Sequence, residues 1–153
     1  MSRPDAKVQG SAKHQLCPGW QWVRLDDVCN LINGDAFRPT DWSPSGTPII
    51  RIQNLNDSTK PFNFWGGSLT DKVVVSPGEV LLAWSGTPGT SFGAHIWNGA
   101  LAVLNQHIFR VDFKRDEILP GWAVLAINWQ LDILIQQAHG GAGLAPNPPG
   151  IYH

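Results

Sequence analysis

Gly78-Glu79-Val80-Leu81-Leu82-Ala83-Trp84-Ser85-Gly86-Thr87-Pro88-Gly89-Thr90 is an apolar run with turn-forming residues on both sides. A short apolar run bounded in this way predicts a buried strand, and this one leads into an exposed, glycine-rich loop from Ser85 to Gly93. Two further strand-like runs follow, His95–Trp97 and Gln106–Val111. Since loops on a rigid scaffold often carry recognition residues, the loop is a candidate binding surface.

Shorter elements are predicted upstream of this run. Residues 49–55 have the β-branched content and the alternation of a strand, and Val73–Val75 form a shorter one. Val23–Leu25 is typical of a short strand, and residues 26–32 of a single helical turn that continues into a strand. Residues 37–48 and 56–70, which are rich in turn-forming and polar residues, are predicted to be loops.

One helix is predicted near the C-terminus, from Leu119 to Ala138. Pro120 suits the first turn, and Gly140-Gly141 would end the helix. Large apolar residues recur at helical spacing on more than one face, so we expect the helix to be packed on two sides. These elements predict an α+β fold: a single domain with a bent mixed or antiparallel β-sheet, long loops and one C-terminal packing helix.

Composition agrees with one globular domain. The 153 residues are 42% hydrophobic and 15% charged, and the formal net charge is −1. This charge argues against a domain that binds polyanions by charge alone. We assign residues 1–17 to a mobile tail or an expression remnant, residues 18–144 to the folded domain and residues 145–153 to a C-terminal tail.

The cellular setting is expected to be the cytoplasm. Cys17 and Cys29 are too few for a disulfide framework, and we expect two free, partly buried thiols in a reducing compartment. No apolar run is long enough to span a membrane, and the chain does not begin with a secretory signal pattern.

Catalysis and metal binding have little support in the sequence. His95, His107 and His139 have no spacing typical of zinc ligands. The glycines of the loop lack the lysine of a nucleotide-binding loop, and no serine or cysteine lies in a nucleophile-elbow pattern. We therefore predict no catalytic site, no metal and no cofactor.

Eight tryptophans are many for a chain of this length. Four lie in apolar sequence contexts and are expected in the core: Trp20, Trp84, Trp122 and Trp129. Two lie in polar loops and are expected to be exposed: Trp42 and Trp65. The tryptophans, the low charge and the Gly/Pro-rich loops would also suit a carbohydrate- or small-ligand-binding module.

Four segments follow one another in a recognisable order: Pro18–Val28, Thr47–Leu55, Val75–Ala83 with Gly86, Gly89, Gly93 and Asn105-Gln106, and the predicted helix with His139–Gly143. In this order they resemble the target recognition domain of type I restriction-modification specificity (S) subunits. The resemblance covers about Pro18 to Leu144. It departs from the family pattern after Leu144, where no helical spacer of the kind that joins two such domains follows.

The resemblance implies a bacterial module that recognises double-stranded DNA and has no catalytic site of its own. In this family, side chains from loops and strand ends contact phosphates and base edges. Candidate base-reading residues are Arg51, Gln53, Asn54, Asn105, Gln106 and His107, with Ser85, Thr87, Thr90 and Ser91 from the glycine-rich loop. Candidate phosphate contacts are Arg38 and Lys60. Alternatively, Asn105 and Gln106 satisfy buried backbone groups, and Arg51 forms an ordinary surface ion pair.

The function expected from this resemblance is sequence-specific DNA binding by a stand-alone or truncated specificity domain. A methyltransferase subunit is an expected partner, although the family docks it through the spacers, and a homodimer is a further alternative. Two rival functions stay open: a carbohydrate- or small-ligand-binding module, and a regulatory fragment that competes with full-length specificity subunits. A basic, Asn/Gln-lined face would favour DNA, an exposed Trp pair in a neutral groove a saccharide, and an exposed apolar helix face the regulatory fragment.

Overall fold

The computed structural model describes residues 17–57, 59–85 and 92–138, with side chains to Asp132. Within these residues the chain forms two β-sheets, two short helices and one long C-terminal helix, which confirms the predicted α+β class. The assignments for Thr87, Thr90 and Ser91 and for the segments 1–16 and 139–153 lie outside the described residues. None of the described helices combines the length and the hydropathy needed to cross a membrane.

The elements follow one another with short connections. The strands are β1 (Cys29–Asn33), β2 (Trp42–Ser43), β3 (Thr47–Ile50), β4 (Asn63–Trp65), β5 (Val74–Val75), β6 (Val80–Ala83), β7 (Gly93–Ile96), β8 (Ala102–Leu104) and β9 (Ile108–Phe113). The helices are α1 (Leu25–Val28), α2 (Ile52–Asn56) and α3 (Pro120–Ala138), with a 3-10 turn at Pro39–Asp41.

The strands form two sheets that differ in the direction of pairing. One sheet has the order β1-β9-β6-β7 and is antiparallel throughout. The other has the order β2-β4-β3-β8-β5, in which β3 and β8 are parallel and the remaining pairs are antiparallel. The single predicted sheet is therefore two, and the parallel pair makes the second sheet mixed.

Strand β6, predicted from the central apolar run, is buried on both faces. Val80 and Leu82 belong to the core under α3, whereas Leu81 and Ala83 belong to the core of the second sheet. A strand buried on both sides has no solvent-facing positions, which explains its continuous apolar sequence. Strand β6 thereby joins the two hydrophobic cores.

Helix α3 has the predicted location, and among its described side chains, up to Asp132, one face is buried. Ala123, Ile127 and Leu131, spaced four residues apart, are buried against the first sheet. The opposite face is exposed, with Leu125 at 72% of its full accessibility. The expectation of packing on two sides is wrong for these residues. Small and branched side chains on one stripe fill the contact with the sheet, and the large side chains of the opposite face are exposed.

The four tryptophans expected in the core are exposed at the surface. Trp20 is 56% exposed, and Trp84, Trp122 and Trp129 are also exposed. An apolar sequence context does not show which face of an element a side chain occupies, nor what covers it. The context of these four tryptophans therefore could not predict their burial. The expected exposure of Trp42 is confirmed, whereas Trp65 is partly buried beside Phe37 and Lys72.

The strand predicted over residues 49–55 is divided into two elements. Strand β3 ends at Ile50, and residues 52–56 form α2. Asn54 accounts for the change: its Oδ1 accepts the Arg51 backbone N–H at 3.1 Å, and its Nδ2 donates to the carbonyls of Lys60 and Pro61. A buried side chain with three backbone partners outweighs local β propensity.

Other local elements also differ from those predicted. Residues 23–25 do not form a strand, since α1 begins at Leu25, whereas the predicted passage from a helical turn into a strand is seen at α1 and β1. Strands β2 and β4 lie within predicted loops, and β8 was not predicted. These strands have two or three residues, too few for a periodic pattern.

The two cysteines have different surroundings. Both are free; Cys17 is exposed and Cys29 is buried in the first core. Burial raises the pKa of the Cys29 thiol to about 11, so this thiol stays protonated and unreactive near neutral pH.

Asn128 fastens α3 to the edge strand β7. Its Oδ1 accepts the Ala94 N–H at 2.7 Å, and its Nδ2 donates to the Ala94 carbonyl at 3.0 Å. A Cβ on Gly93 would lie 3.0 Å from the same Oδ1, so glycine leaves room for this contact. The amide occupies backbone groups that an uncovered edge strand would leave open to another chain.

We expect Asn128→Ala to destabilise the domain by about 2–3 kcal/mol, because both Ala94 backbone groups lose their partner. Urea unfolding followed by tryptophan fluorescence measures the effect. Gln130→Ala on the same helix is the matched control and is expected to change stability by less than about 0.5 kcal/mol. Equal midpoints for the two variants would contradict the role given to Asn128.

Stability is also expected to depend on His95. Its Nε2 is buried and has no hydrogen-bond partner among the described residues, and burial lowers its pKa below the usual 6.5. Between the usual pKa and the lowered one, the unfolded chain binds the proton and the folded chain does not, so stability falls as the pH falls through this window.

We therefore expect the unfolding free energy to decrease as the pH falls through the usual histidine pKa of 6.5 toward the lowered one, and His95→Leu to reduce this decrease. Urea unfolding at several pH values measures both slopes. Identical slopes in the parent and in His95→Leu would show that His95 contributes nothing to the pH dependence of stability.

Candidate nucleic-acid interface

The parallel pair β3–β8 brings two distant segments of the sequence to one edge. Ile50 lies opposite Leu104 in the register, so the next residues, Arg51 and Asn105, leave their strands side by side. The Asn105 N–H donates to the Ile50 carbonyl at 3.1 Å. Because parallel strands end at the same edge of a sheet, the polar residues that follow them share one surface.

The start of the glycine-rich loop reaches the same edge. Ala83, the last residue of β6, lies opposite Ile108, the first residue of β9. The Trp84 N–H donates to the His107 carbonyl at 3.3 Å, and the two rings lie 5.7 Å apart. Ser85 therefore leaves the sheet beside the turn that contains Gln106 and His107.

Five of the predicted site residues are brought together in this way. We call them the polar edge: Arg51, Ser85, Asn105, Gln106 and His107. His107 is exposed, Arg51, Ser85 and Gln106 are half-buried, and Asn105 is only 9% exposed. The edge therefore has an accessible part and a part that is held inside the protein.

Gln53 and Asn54 have opposite orientations on α2. Gln53 is exposed, whereas its neighbour in the sequence, Asn54, is buried. Asn54 is 4% exposed, and its amide is engaged with the backbone groups described above. The geometry makes Gln53 available to a ligand and gives Asn54 a framework role.

Arg38 and Lys60 lie on exposed loops. Arg38 precedes the 3-10 turn, and its backbone N–H donates to Asp41 Oδ2 at 2.7 Å. Lys60 Nζ is 3.9 Å from Asp57 Oδ2, and the Lys60 carbonyl accepts from the Asn54 amide. An exposed ion pair at this distance holds its lysine weakly, so the Lys60 ammonium can exchange Asp57 for another anion.

A row of aromatic and cationic side chains extends from Arg51 across the second sheet. Arg51 Cζ lies 5.5 Å from the ring centre of Trp42, and Trp42 is the cross-strand partner of Trp65. Lys72 Nζ lies 5.1 Å from the Trp65 ring and 5.2 Å from the Phe37 ring. We call these five residues the aromatic–cation row. Stacking of this kind limits the freedom of a cation before any ligand arrives.

Lys72, Phe37 and Asp35, the acidic partner of Lys72, were not predicted as site residues. Asp35 Oδ1 lies 3.8 Å from Lys72 Nζ. The residues come from different loops and carry no motif, so no sequence signal pointed to them. Their proximity depends on the pairing of β8 with β3 and β5.

Other basic residues are held elsewhere by acidic partners. Arg24 pairs with Asp26 at 2.9 Å, and the Arg110 guanidinium makes two hydrogen bonds to Asp112. The Arg24 guanidinium beside Asp26 lowers the pKa of that carboxyl. Residue 29 pairs with residue 113 at the far end of the β1–β9 ladder, so the Arg24–Asp26 pair lies away from the polar edge.

The described part of the chain contains no group of three or more His, Cys, Asp or Glu side chains that could hold a metal ion. A cleft of about 620 Å³, lined by Trp20, Trp122, Arg115 and Glu117 among others, lies between the N-terminal segment and the start of α3. It is separate from the polar edge, since none of the polar-edge residues lines it.

These features define a sheet-rich recognition module, with an edge of polar side chains where strands from two sheets end. The sequence model of the type I restriction modification DNA specificity domain matches residues 18–142, and the chain belongs to this family. The resemblance found in the sequence is thus confirmed. The family is defined by DNA specificity rather than by a catalytic activity.

Individual relatives agree with this assignment. The chain is 29% identical to the EcoBI type I restriction enzyme specificity subunit of Escherichia coli, over 71% of this chain and 24% of that subunit. The HsdS subunit from Thermoanaerobacter tengcongensis superposes with a TM-score of 0.61 at 19% identity, covering 93% of this chain and 35% of that one.

A second solved chain, from work on complex assembly and conformational transition of the type I R-M system, has a TM-score of 0.58 at 22% identity. It is matched over 84% of this chain and 31% of its own length. The fold is therefore that of specificity subunits. The chain spans between about a quarter and a third of the length of these relatives.

The neighbours Gln53 and Asn54 allow a matched test of framework and surface roles. We expect Asn54→Ala to lower stability by about 1–3 kcal/mol, because it leaves buried backbone groups without partners. Gln53→Ala is expected to stay within about 0.5 kcal/mol of the parent in the same urea titration. If Asn54→Ala leaves stability unchanged but weakens DNA binding, Asn54 belongs with the reading residues instead.

Proposed function

We propose that this domain binds double-stranded DNA sequence-specifically through the polar edge. The observation that carries the proposal is the convergence of residues from three separate segments at the ends of β3, β6 and β8. Base edges in the major groove are read by short hydrogen bonds from side chains on rigid supports. Residues at strand ends meet this requirement better than residues on long free loops.

Each accessible group has a defined contact in this proposal. The Arg51 guanidinium donates two hydrogen bonds to guanine O6 and N7, and the amides of Gln53 and Gln106 pair with adenine N6 and N7. His107 and Ser85 offer single donors or acceptors beside them. Thr87, Thr90 and Ser91 stay in the proposal as part of the loop that follows Ser85.

Phosphate contacts are assigned to Arg38 and Lys60 on the flanking loops. With two or three phosphates neutralised, log K against log salt would have a slope of only roughly −2 to −3. The domain, with its net charge of −1, is thus expected to bind non-specific DNA weakly. Contacts to bases would supply a larger share of the affinity than in a strongly basic DNA-binding domain.

The larger assembly is also a proposal. We infer a cytoplasmic restriction-modification complex in which a methyltransferase subunit shares the DNA contact, with a homodimer of the domain as the alternative. The chain matches only part of its relatives, and one of the matched structures concerns assembly of the type I R-M system. Neither arrangement requires a catalytic residue in this domain.

The family match disfavours the carbohydrate alternative. One feature would suit it: the exposed Trp20 and Trp122, with ring centres 6.1 Å apart, line the cleft that also holds Arg115 and Glu117. Trp42 and Trp65 are less suitable. A saccharide would stack on exposed, neutral tryptophan faces, but Arg51 lies over Trp42, and Lys72 lies over Trp65. At each of these two tryptophans a cation occupies one face of the ring.

The regulatory alternative has one observation in its favour, the exposed apolar face of α3. Leu125 and Trp129 lie on this face, and Leu119 and Trp20 are exposed near its start. Exposed apolar patches of this kind often mark protein contacts. Association of this face with another protein is compatible with DNA binding, because the polar edge is formed by other elements.

The first test is selection from a randomised duplex pool, followed by fluorescence anisotropy with the enriched sequence at two salt concentrations. We expect a short motif to be enriched and Arg51→Ala to weaken its binding by about 1–3 kcal/mol, roughly 5- to 150-fold in Kd. The loss is expected at one base position of the motif, because a bidentate contact reads one base pair.

Arg24→Ala is the matched control, because it removes the same charge at the far end of the β1–β9 ladder. It is expected to change Kd by less than about twofold, since exposed charges beyond a Debye length are screened. The absence of any enriched motif at low salt would refute the proposal, and equal losses in the two variants would refute the role of Arg51.

A further inference from the structure

Asp35 lies where three parts of the binding surface meet. Its backbone N–H donates to the Leu104 carbonyl at 2.8 Å, and its carbonyl accepts the Gln106 N–H at 2.9 Å. These bonds form an isolated parallel bridge between Asp35 and Asn105. The segment after β1 thus supports the turn that contains three residues of the polar edge.

The carboxylate of Asp35 makes separate contacts. Its Oδ2 accepts the Val73 N–H at 2.8 Å, and its Oδ1 is 3.8 Å from Lys72 Nζ. The side chains of Asp35 and Lys72 are 24% and 22% exposed, so solvent screens this pair less than a fully exposed one. One carboxylate therefore connects the aromatic–cation row to the backbone that carries Gln106.

The approach of the two segments is close. A Cβ on Gly34 would lie 2.2 Å from the Asn105 carbonyl oxygen, so only glycine allows the chain to pass here. The Gly34 N–H in turn donates to the Ile108 carbonyl at 3.0 Å. The Asn105–His107 turn is thus enclosed by residues 34–35 and by the start of β9.

A carboxylate in this position has an electrostatic cost in a DNA-binding protein. It repels phosphate, and it draws the Lys72 ammonium toward itself and away from any phosphate. Against this cost, the carboxylate holds the Val73 backbone and the Lys72 side chain in place. If only the charge of the carboxylate mattered, its removal would strengthen DNA binding. If its position matters, its removal would reduce selectivity between DNA sequences.

We propose that Asp35 is the positioning residue of the DNA-reading turn Asn105–His107, a role that rests on the proposed function. Its carboxylate fixes the Val73 backbone and Lys72, and its backbone fixes Gln106, so that the amide and imidazole groups of the turn keep one orientation toward the bases. Selectivity between DNA sequences depends on this orientation, because base contacts tolerate only small displacements.

Three variants separate position from charge. Asp35→Ala removes the carboxylate, and Asp35→Asn retains an oxygen that can accept the Val73 N–H. Asp71→Ala removes the same charge from an exposed residue adjacent to Lys72. If charge alone mattered, all three variants would bind DNA more tightly and with unchanged selectivity.

The DNA measurement is the ratio of Kd values for the selected duplex and for a scrambled one, in the full chain. We expect Asp35→Ala to reduce this ratio by roughly tenfold, the size of one lost base contact. Asp35→Asn should recover most of the ratio, and Asp71→Ala should keep it. A ratio within about twofold of the parent in Asp35→Ala and Asp35→Asn would overturn the inference.

A second measurement does not need DNA. In ¹H–¹⁵N spectra, we expect Asp35→Ala to shift the amides of Val73, Gln106 and His107, while Ala94 in the other sheet keeps its position and reports an intact fold. Unshifted Gln106 and His107 amides would overturn the inference. A parent protein without sequence selectivity, but with these shifts, would refute the proposed function and leave the positioning of the turn established.

Discussion

The parallel pairing of β3 with β8 is the constraint on which the proposed binding surface depends. Antiparallel hairpins return the chain beside its own preceding strand, so neighbouring strands end on opposite edges of a sheet. A parallel pair instead brings the ends of two strands that are distant in sequence to one edge, and it requires a long crossover between them. Here the crossover contains four strands, β4 to β7, and β6 among them brings Ser85, the first residue of the glycine-rich loop, to the same edge.

This arrangement is stable because β6 belongs to both hydrophobic cores. Its alternate residues face the core under α3 and the core of the second sheet, so neither sheet can shift relative to the other without disturbing both. Asn128 attaches α3 to β7, and residues 34–35 attach β1 to the end of β8. The proposed reading residues thus lie at loops and strand ends that a rigid support holds.

The sequence predicted those elements whose pattern is local. The apolar run of β6, the spacing of α3 and the helical turn before β1 each carry a signal within a few residues, and the order of four family-like segments identified the domain.

The division of residues 49–55 into β3 and α2 could not be predicted, since the side chain of Asn54 bonds to backbone several residues away and ends the strand. The outward position of Trp129 and the approach of Lys72 to Asp35 depend on which elements pack together. Hydrophobic periodicity indicates that a face is buried, but it does not identify the partner. For this reason the sequence places most candidate residues by chain segment, whereas Lys72 and Phe37 join Arg51, Trp42 and Trp65 only when the second sheet forms.

The near-neutral charge has a consequence for recognition. A strongly basic domain gains affinity for every DNA sequence, and its selectivity is measured against that background. A domain with few phosphate contacts has a low background, so each correctly oriented base contact raises the ratio of specific to non-specific binding directly. Orientation then becomes the quantity that the fold must control. The stacking of Arg51 on Trp42 and the attachment of the Asn105–His107 turn to Asp35 both restrict orientation without adding net positive charge. A half-buried carboxylate beside the proposed DNA-reading edge does not attract DNA, but it is consistent with a surface that discriminates by geometry.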